Sequence, residues 1–317
     1  MSSVQRLGER VLQDLSALCP DMYKNPREKL ATLVAVAVDA RSCNLMEWAA
    51  RLPIASEKTN SRYAWVERFL SADTVQENHI MQPLARQVLA LAGANDQTII
   101  INLDQTSIGD LHGIAMVSVR ICDRGLPLFW KTEQTAGNLP TSDYISLLDK
   151  VAKLLPEGAK VLLMADRFFD AGCLIKHCKT NGWGWRIRLK SNINVQHEGG
   201  EIRLSEMEKL GLNALTDAQL TSGEITNIGY LHEAGHEGAW FVAMNDSPSV
   251  TTTKDYGLRW GIEAMFSDYK TRGFGLEDTH LERSDRLSKL LLVLAVAMHL
   301  AVITGIAVKK NSSPQEV

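Results

Sequence analysis

The order of apolar runs between residues 98 and 189 restricts the fold more than any other feature of this chain. Residues 98–103 form a β-branched apolar run that stops at Asp104, and residues 112–122 and 126–131 read as two further strands joined through Asp123, Arg124 and Gly125. Residues 142–155 read as a helix, with Asp143 near its start and Pro156 beyond its end. A second buried-type strand covers residues 160–165 and stops at Asp166; residues 170–179 then read as a helix and 185–189 as a fifth strand. Three strands, helix, strand, helix, strand is an α/β pattern: a mixed sheet of ribonuclease-H-like order with helices on its faces.

What flanks this block is different in character. Residues 1–97 read as five helices: 4–18, 26–39 opened by Pro26, 45–52, 59–70, and 83–92 opened by Pro83 and stopped at Gly93. The fourth carries Lys58, Arg62 and Arg68 beside Tyr63, Trp65 and Phe69, a basic-aromatic pattern that suits DNA binding; burial of the aromatics with solvated arginines is the rival reading. Residues 193–250 are β-leaning and glycine-bearing, like an insertion placed before the helix that begins near Asp255. Residues 290–308 carry no formal charge, long enough for a membrane span but better read as the central helix of a large α/β domain. The expected division is 1–96 helical, 97–192 and 253–310 the two parts of a catalytic domain, 193–252 a β-rich acidic insertion, and 311–317 a tail.

The formal charge of −3 argues against a nucleic-acid partner only until it is located. Residues 196–253 hold nine acidic and two basic side chains, so the insertion carries −7 and the rest of the chain is +4. Five cysteines, with no CxxC pair, and an N-terminus without an apolar core suggest a reduced, cytoplasmic protein.

Tyr256, Arg259, Glu263 and Lys270 stand 3, 4 and 7 residues apart in a stretch that reads as one helix. At about 100° per residue they share a stripe roughly 60° wide, beside an apolar face of Leu258, Ile262, Met265, Phe266 and Tyr269. A carboxylate escorted by phosphate-binding cations suits metal-assisted cutting of a nucleic-acid backbone, although a solvated helix face has the same spacing. Asp104 and Asp166, each ending an apolar strand, supply carboxylates that a divalent cation could join to Glu263.

Taken together these motifs resemble the DDE transposases of bacterial insertion sequences, in the insertion-sequence-four family. Its Tyr-x2-Arg-x3-Glu-x6-Lys signature stands here as Tyr256, Arg259, Glu263 and Lys270 with every spacing intact. Its Asp-Arg-x-x-Asp motif stands as Asp166, Arg167 and Asp170, and the first aspartate is followed by glutamine as Asp104-Gln105. The resemblance implies Asp104, Asp166 and Glu263 as catalytic metal ligands for Mg²⁺, with Mn²⁺ as a substitute. It further implies that Tyr256, Arg259 and Lys270 contact DNA phosphates, while Arg167 and Asp170 support the site. In several relatives an aromatic side chain stacks on a flipped base; Trp130 and Trp240 are the candidates, with core burial the alternative for both.

The function implied is cut-and-paste transposition: a homodimer binds terminal inverted repeats in double-stranded DNA, hydrolyses the end phosphodiesters and joins the 3′-hydroxyls to target DNA. A catalytically silent, end-binding repressor is the alternative. Localisation would be cytoplasmic, on the nucleoid when bound to DNA. His232-Glu233-Ala234-Gly235-His236 matches a zinc-protease pattern, but its glycines and strand-like flanks read as a hairpin loop.

Overall fold

The structure, a computed structural model, describes residues 1–232 and 238–312, with side chains as far as residue 308. Three strands form an antiparallel meander, β1 (Ile99–Ile108), β2 (His112–Ile121) and β3 (Arg124–Glu133). Helix α6 (Thr141–Ala152) leads to β4 (Val161–Ala165), and α7 (Ala171–Asn181) leads to β5 (Gly184–Arg188); β4 pairs parallel with both β1 and β5. The order β3-β2-β1-β4-β5 is the ribonuclease-H-like arrangement that the pattern of runs predicts.

Some boundaries differ from the sequence reading. The β2–β3 turn falls at Cys122-Asp123, one residue early, with Cys122 taking the left-handed conformation (φ 56°). Asp104 lies inside β1 rather than beyond it. Pairing with β4 ends at Leu103↔Ala165, whereas the β2 side continues through Asp104↔Met116 to Ile108↔His112. A carboxylate is a poor strand former, but the β2 ladder satisfies its backbone and carries the strand on.

Residues 193–252 extend this sheet. Strands β6 (Asn194–His197), β7 (Gly200–Arg203), β8 (Ala214–Leu220), β9 (Ile225–Leu231) and β10 (Trp240–Met244) add to its edge in the order β5-β10-β9-β8-β6-β7, β10 antiparallel to β5. The zinc-protease-like motif falls mostly on residues 233–237, outside the described residues; His232 Nδ1 lies 3.4 Å from Glu208 Oε1.

Helices α1 (Ser3–Leu18), α2 (Lys24–Ala40), α3 (Leu45–Arg51), α4 (Thr59–Leu70) and α5 (Glu77–Ala92) share one continuous core with the sheet. Helix α5 begins six residues before Pro83, not at it. A proline there forfeits one backbone hydrogen bond, and burial of Ile80, Met81, Leu84, Ala85, Val88 and Leu89 offsets that loss. The last helix, α10 (Ser284–Ser312), packs on β3, α2, α4 and α5 and is largely buried from Leu287 to His299, then emerges. By length and composition alone it could cross a membrane, as the core helix of a large domain also could. Trp130 Nε1 donates to Ser288 Oγ at 2.9 Å and Thr132 Oγ1 to Ser284 O at 2.9 Å, tying its start to β3.

The stretch read as a single helix changes its winding three times. Helix α8 (Val250–Lys254) gives way to a 3₁₀ segment, Asp255–Trp260, then to α9 (Gly261–Ser267) and a π turn, Asp268–Arg272. The run crosses one face of the sheet, with α8 over β9, the 3₁₀ segment over β5 and β4, and α9 over β1, β2 and β3. Two glycines allow that last crossing. A Cβ on Gly125 would stand 3.1 Å from Gly261 O and 3.2 Å from Ile262 Cα, so α9 could not approach β3 closely past a larger residue.

Candidate active site

The parallel registers set a row across the sheet. Pairs Leu103↔Ala165 and Ala165↔Ile187 are in register, so one residue further on Asp104, Asp166 and Arg188 come side by side. Neighbouring strands lie about 4.8 Å apart and in-register side chains share a face, here the face that the 256–267 run covers. The row is thus a product of pairing and not of sequence distance.

The 3₁₀ winding brings Tyr256 and Arg259 onto that row. With three residues per turn, positions i and i+3 eclipse, so both side chains drop toward the sheet and are buried. Tyr256 donates its phenol hydrogen to Asp166 Oδ1 at 3.3 Å. Arg259 donates from Nη1 to Asp104 Oδ2 at 2.8 Å and from Nη2 to Glu263, one α-helical turn on, and its guanidinium lies 5.6 Å from the Tyr256 ring centre. A single buried cation therefore links two of the three carboxylates, while the phenol holds the third.

The charges follow from that arrangement. Burial pushes Asp104 up to about 6, against the lowering influence of Arg259 and of the Gln105 N–H; nearby Asp166 raises it further. Burial also opposes ionisation of the Tyr256 phenol, which stays neutral and able to donate. Burial disfavours the charge of Arg259, yet the carboxylates of Asp104, Glu263 and Asp166 outweigh it and keep the guanidinium firmly protonated.

Backbone and capping contacts hold the two aspartates. The N–H of Gln105 donates to Asp104 Oδ1 at 2.9 Å, and the Gln105 side chain bonds to Gly137, Leu139 and Tyr144 in the loop and helix beyond β3. The N–H of Arg167 donates to Asp166 Oδ1 at 2.7 Å, while its exposed side chain lies against Phe168. Asp170 caps α7, accepting from Cys173 N at 3.1 Å. The second aspartate of that motif thus serves the helix and not the row.

Other expected residues lie elsewhere. Lys270 lies in the π turn, and its Nζ is 3.4 Å from Glu277 Oε1. Arg62 is tied to the Leu52 carbonyl, leaving Lys58 and Arg68 as the exposed cations of that set on and beside α4. Trp130 and Trp240 are both buried; Trp240 packs edge-on to Tyr256 and Trp260. The aromatics exposed near the site are Trp260 (43%) and Phe168 (61%), which no sequence pattern separated from core residues. Arg188 was also missed, since only the β4–β5 register reveals its place.

The sequence profile of the family described as "Transposase DDE domain" matches residues 132–300, more than half of the chain. The chain belongs to the DDE transposases. This transposase has no match among curated proteins. Among solved structures it is similar to Ciona intestinalis endonuclease V in complex with a 24mer DNA containing an inosine followed by a ribo-adenosine. That likeness is 14% identity over 50% of this chain and 75% of the other, at a TM-score of 0.29, too slight to bear on fold or function.

DDE transposases use a divalent metal, and the donor chemistry here suits one. Among the described residues no three His, Cys, Asp or Glu side chains stand close enough to hold an ion as placed. Asp104 and Glu263 instead both bond Arg259, and Asp166 adds its field. Oxygen donors already gathered around a positive charge form the hard, anionic set that Mg²⁺ and Mn²⁺ select.

Proposed function

We propose that this transposase acts by cut and paste, as a member of the insertion-sequence-four group with the Tyr-Arg-Glu-Lys signature. It would bind terminal inverted repeats as a homodimer, hydrolyse the phosphodiesters at the element's ends, and join the freed 3′-hydroxyls to target DNA. The observation that carries this reading is the convergence of signature residues on one row: Arg259 on Asp104 and Glu263, and Tyr256 on Asp166. A solvated helix face has no reason to bury its arginine against a strand carboxylate 155 residues away.

Asp104, Asp166 and Glu263 would hold Mg²⁺, with Mn²⁺ as a substitute. Bound metal would supply Lewis-acid stabilisation of the attacking and leaving oxygens in an in-line displacement at phosphorus. The chain's own contributions are distinct from that. Asp104 must be ionised to act as a ligand, so its raised pKa makes it a carboxylate only above about pH 6. Tyr256 orients Asp166 through a phenol that burial keeps neutral. Arg259, released from its two carboxylates, has the planar fork that grips a phosphate. Exposed Lys58 and Arg68 are the candidates for end binding from the helical N-terminal region, and Trp260 or Phe168, rather than the buried tryptophans, for stacking on a displaced base. The protein would work in the cytoplasm, on nucleoid DNA.

The test is purified full-length protein with Mg²⁺ or Mn²⁺ and duplexes ending in the inverted repeats that flank its reading frame. Nicking and strand joining are expected, and Asp104→Ala, Asp166→Ala and Glu263→Ala should each abolish both while end binding persists. Tight end binding by the wild type without nicking at any metal concentration would instead identify a silent repressor.

A further inference from the structure

Arg188 follows Ile187, the β5 partner of Ala165, so continuing that register puts it beside Asp166 on the side away from Asp104, and both act electrostatically on Tyr256. It is the last residue of β5, half-buried, and pairs with Val242 of β10 on its other side. The same strand offers an internal comparison. Arg186, two residues earlier and on the same face, is buried with its guanidinium bonded to Asp246 Oδ2 at 2.5 Å, to Trp185 O at 2.9 Å and to Thr252 O at 3.2 Å. That arginine is a structural bolt between β5 and the start of α8. Outside the β-ladder, the Arg188 side chain forms no hydrogen bond or ion pair among the described residues, and it is close enough to the Tyr256 phenol to act on it electrostatically.

An arginine next to a carboxylate row, with no carboxylate of its own, is matched to an anion that arrives from outside. We propose that Arg188 is a phosphate clamp of this transposase, gripping the DNA phosphodiester next to the scissile one on the Asp166 side. This rests on the reading that Asp104 and Asp166 hold the scissile phosphate through metal. The geometry supports the neighbouring phosphate over the scissile one. Asp104 and Asp166 occupy adjacent strands, so a group held between them lies one to two strand spacings, about 5–10 Å, from the backbone of Arg188. A long, forked side chain half-open to solvent suits the next phosphate of a strand laid along the row.

The experiment uses the full-length chain, Ca²⁺ in place of Mg²⁺ to hold the DNA uncut, and duplexes ending in the flanking inverted repeat. Single phosphates around the cleavage position are replaced one at a time by neutral methylphosphonate. Arg188→Gln is expected to weaken binding about tenfold, as loss of one charge-assisted contact does, and to reduce the salt slope by about one unit. At one position beside the scissile phosphate, neutralisation should weaken the wild type but leave Arg188→Gln unaffected, and Arg188→Lys should restore part of the salt slope. Coincident neutralisation profiles for wild type and Arg188→Gln, or an unchanged salt slope, would overturn the proposal. Arg186→Gln serves as the structural comparison: lower thermal stability is expected with the neutralisation profile intact. Failure of the underlying reading shows separately, as wild-type protein that binds these duplexes but leaves them uncut when Mg²⁺ is restored.

Discussion

Replacing Asp104 by Asn should stabilise the protein while removing its chemistry. Burial raises Asp104 from 3.8 to about 6 even with Arg259 2.8 Å away. At about 1.4 kcal/mol per unit, keeping Asp104 ionised in the fold costs about 3 kcal/mol near pH 7.5. The opposing effect is loss of a buried ion pair, which costs about 3–5 kcal/mol when the surviving charge is left alone. Here the surviving Arg259 retains Glu263, and the attraction of Arg259 for Asp104 is already counted in that raised value. Desolvation therefore wins, and the amide should gain roughly 3 kcal/mol, a rise in Tm of about 5 °C for a chain of this size.

The gain has a pH signature. Asp104 binds its proton more tightly folded than unfolded, so its contribution to stability falls as pH rises from about 4 to about 6. The stability difference between Asp104→Asn and wild type should open across that window and stay constant above it. His299 titrates in the opposite sense: burial lowers it to about 4, so its contribution rises with pH from about 4 to 6.5. In the wild type the two slopes offset each other, and only the comparison of variant with wild type isolates Asp104. Urea denaturation at half-unit steps from pH 4 to 8 reads both quantities. An Asp104→Asn variant less stable than wild type at pH 7.5, or a difference independent of pH, would falsify the assignment of Asp104 as an electrostatically strained carboxylate.

Other consequences can be checked with the same protein. Mn²⁺ affinity without DNA, read by titration calorimetry, should fall about tenfold per pH unit below about 6 as Asp104 protonates, and be level above it. His299→Met should remove the rise in stability between pH 4 and 6.5, about 3 kcal/mol in total, in the denaturation series above. Gly125→Ala should destabilise by about 1–3 kcal/mol and reduce cleavage, because the new methyl meets the backbone of Gly261 and Ile262 and lifts α9, with Glu263, from the sheet; unchanged Tm and rate would refute that contact. Tyr256→Phe should slow cleavage with little change in end affinity, since the phenol bonds Asp166 inside the site.

The residues near the two aspartates show where reading from sequence works. Apolar runs 98–103 and 160–165 are legible because an interior strand has few alternatives, and both are strands. The end of β1 was not legible, because its continuation through Asp104 depends on the β2 ladder. The helix carrying Glu263 was legible as helical but not in its winding. A uniform 100° per residue put Tyr256, Arg259, Glu263 and Lys270 on one stripe, whereas the 3₁₀ segment and π turn send Arg259 inward and Lys270 toward Glu277. Trp130 and Trp240 could not be told from site aromatics because burial is a property of the packed chain.

Local pattern determined the elements and the residue types able to hold metal and phosphate, since periodicity, turn chemistry and motif spacing act over a few residues. Strand register put Asp104, Asp166 and Arg188 in one row, and the changes of winding turned Arg259 onto Asp104. Pairing also made residues 193–252 a continuation of the central sheet through β10 on β5, where composition marked only an interruption. Each of these rests on contacts between residues far apart in the chain, whose partners are chosen by backbone hydrogen bonding and shared burial. That choice is made only when the whole sheet forms.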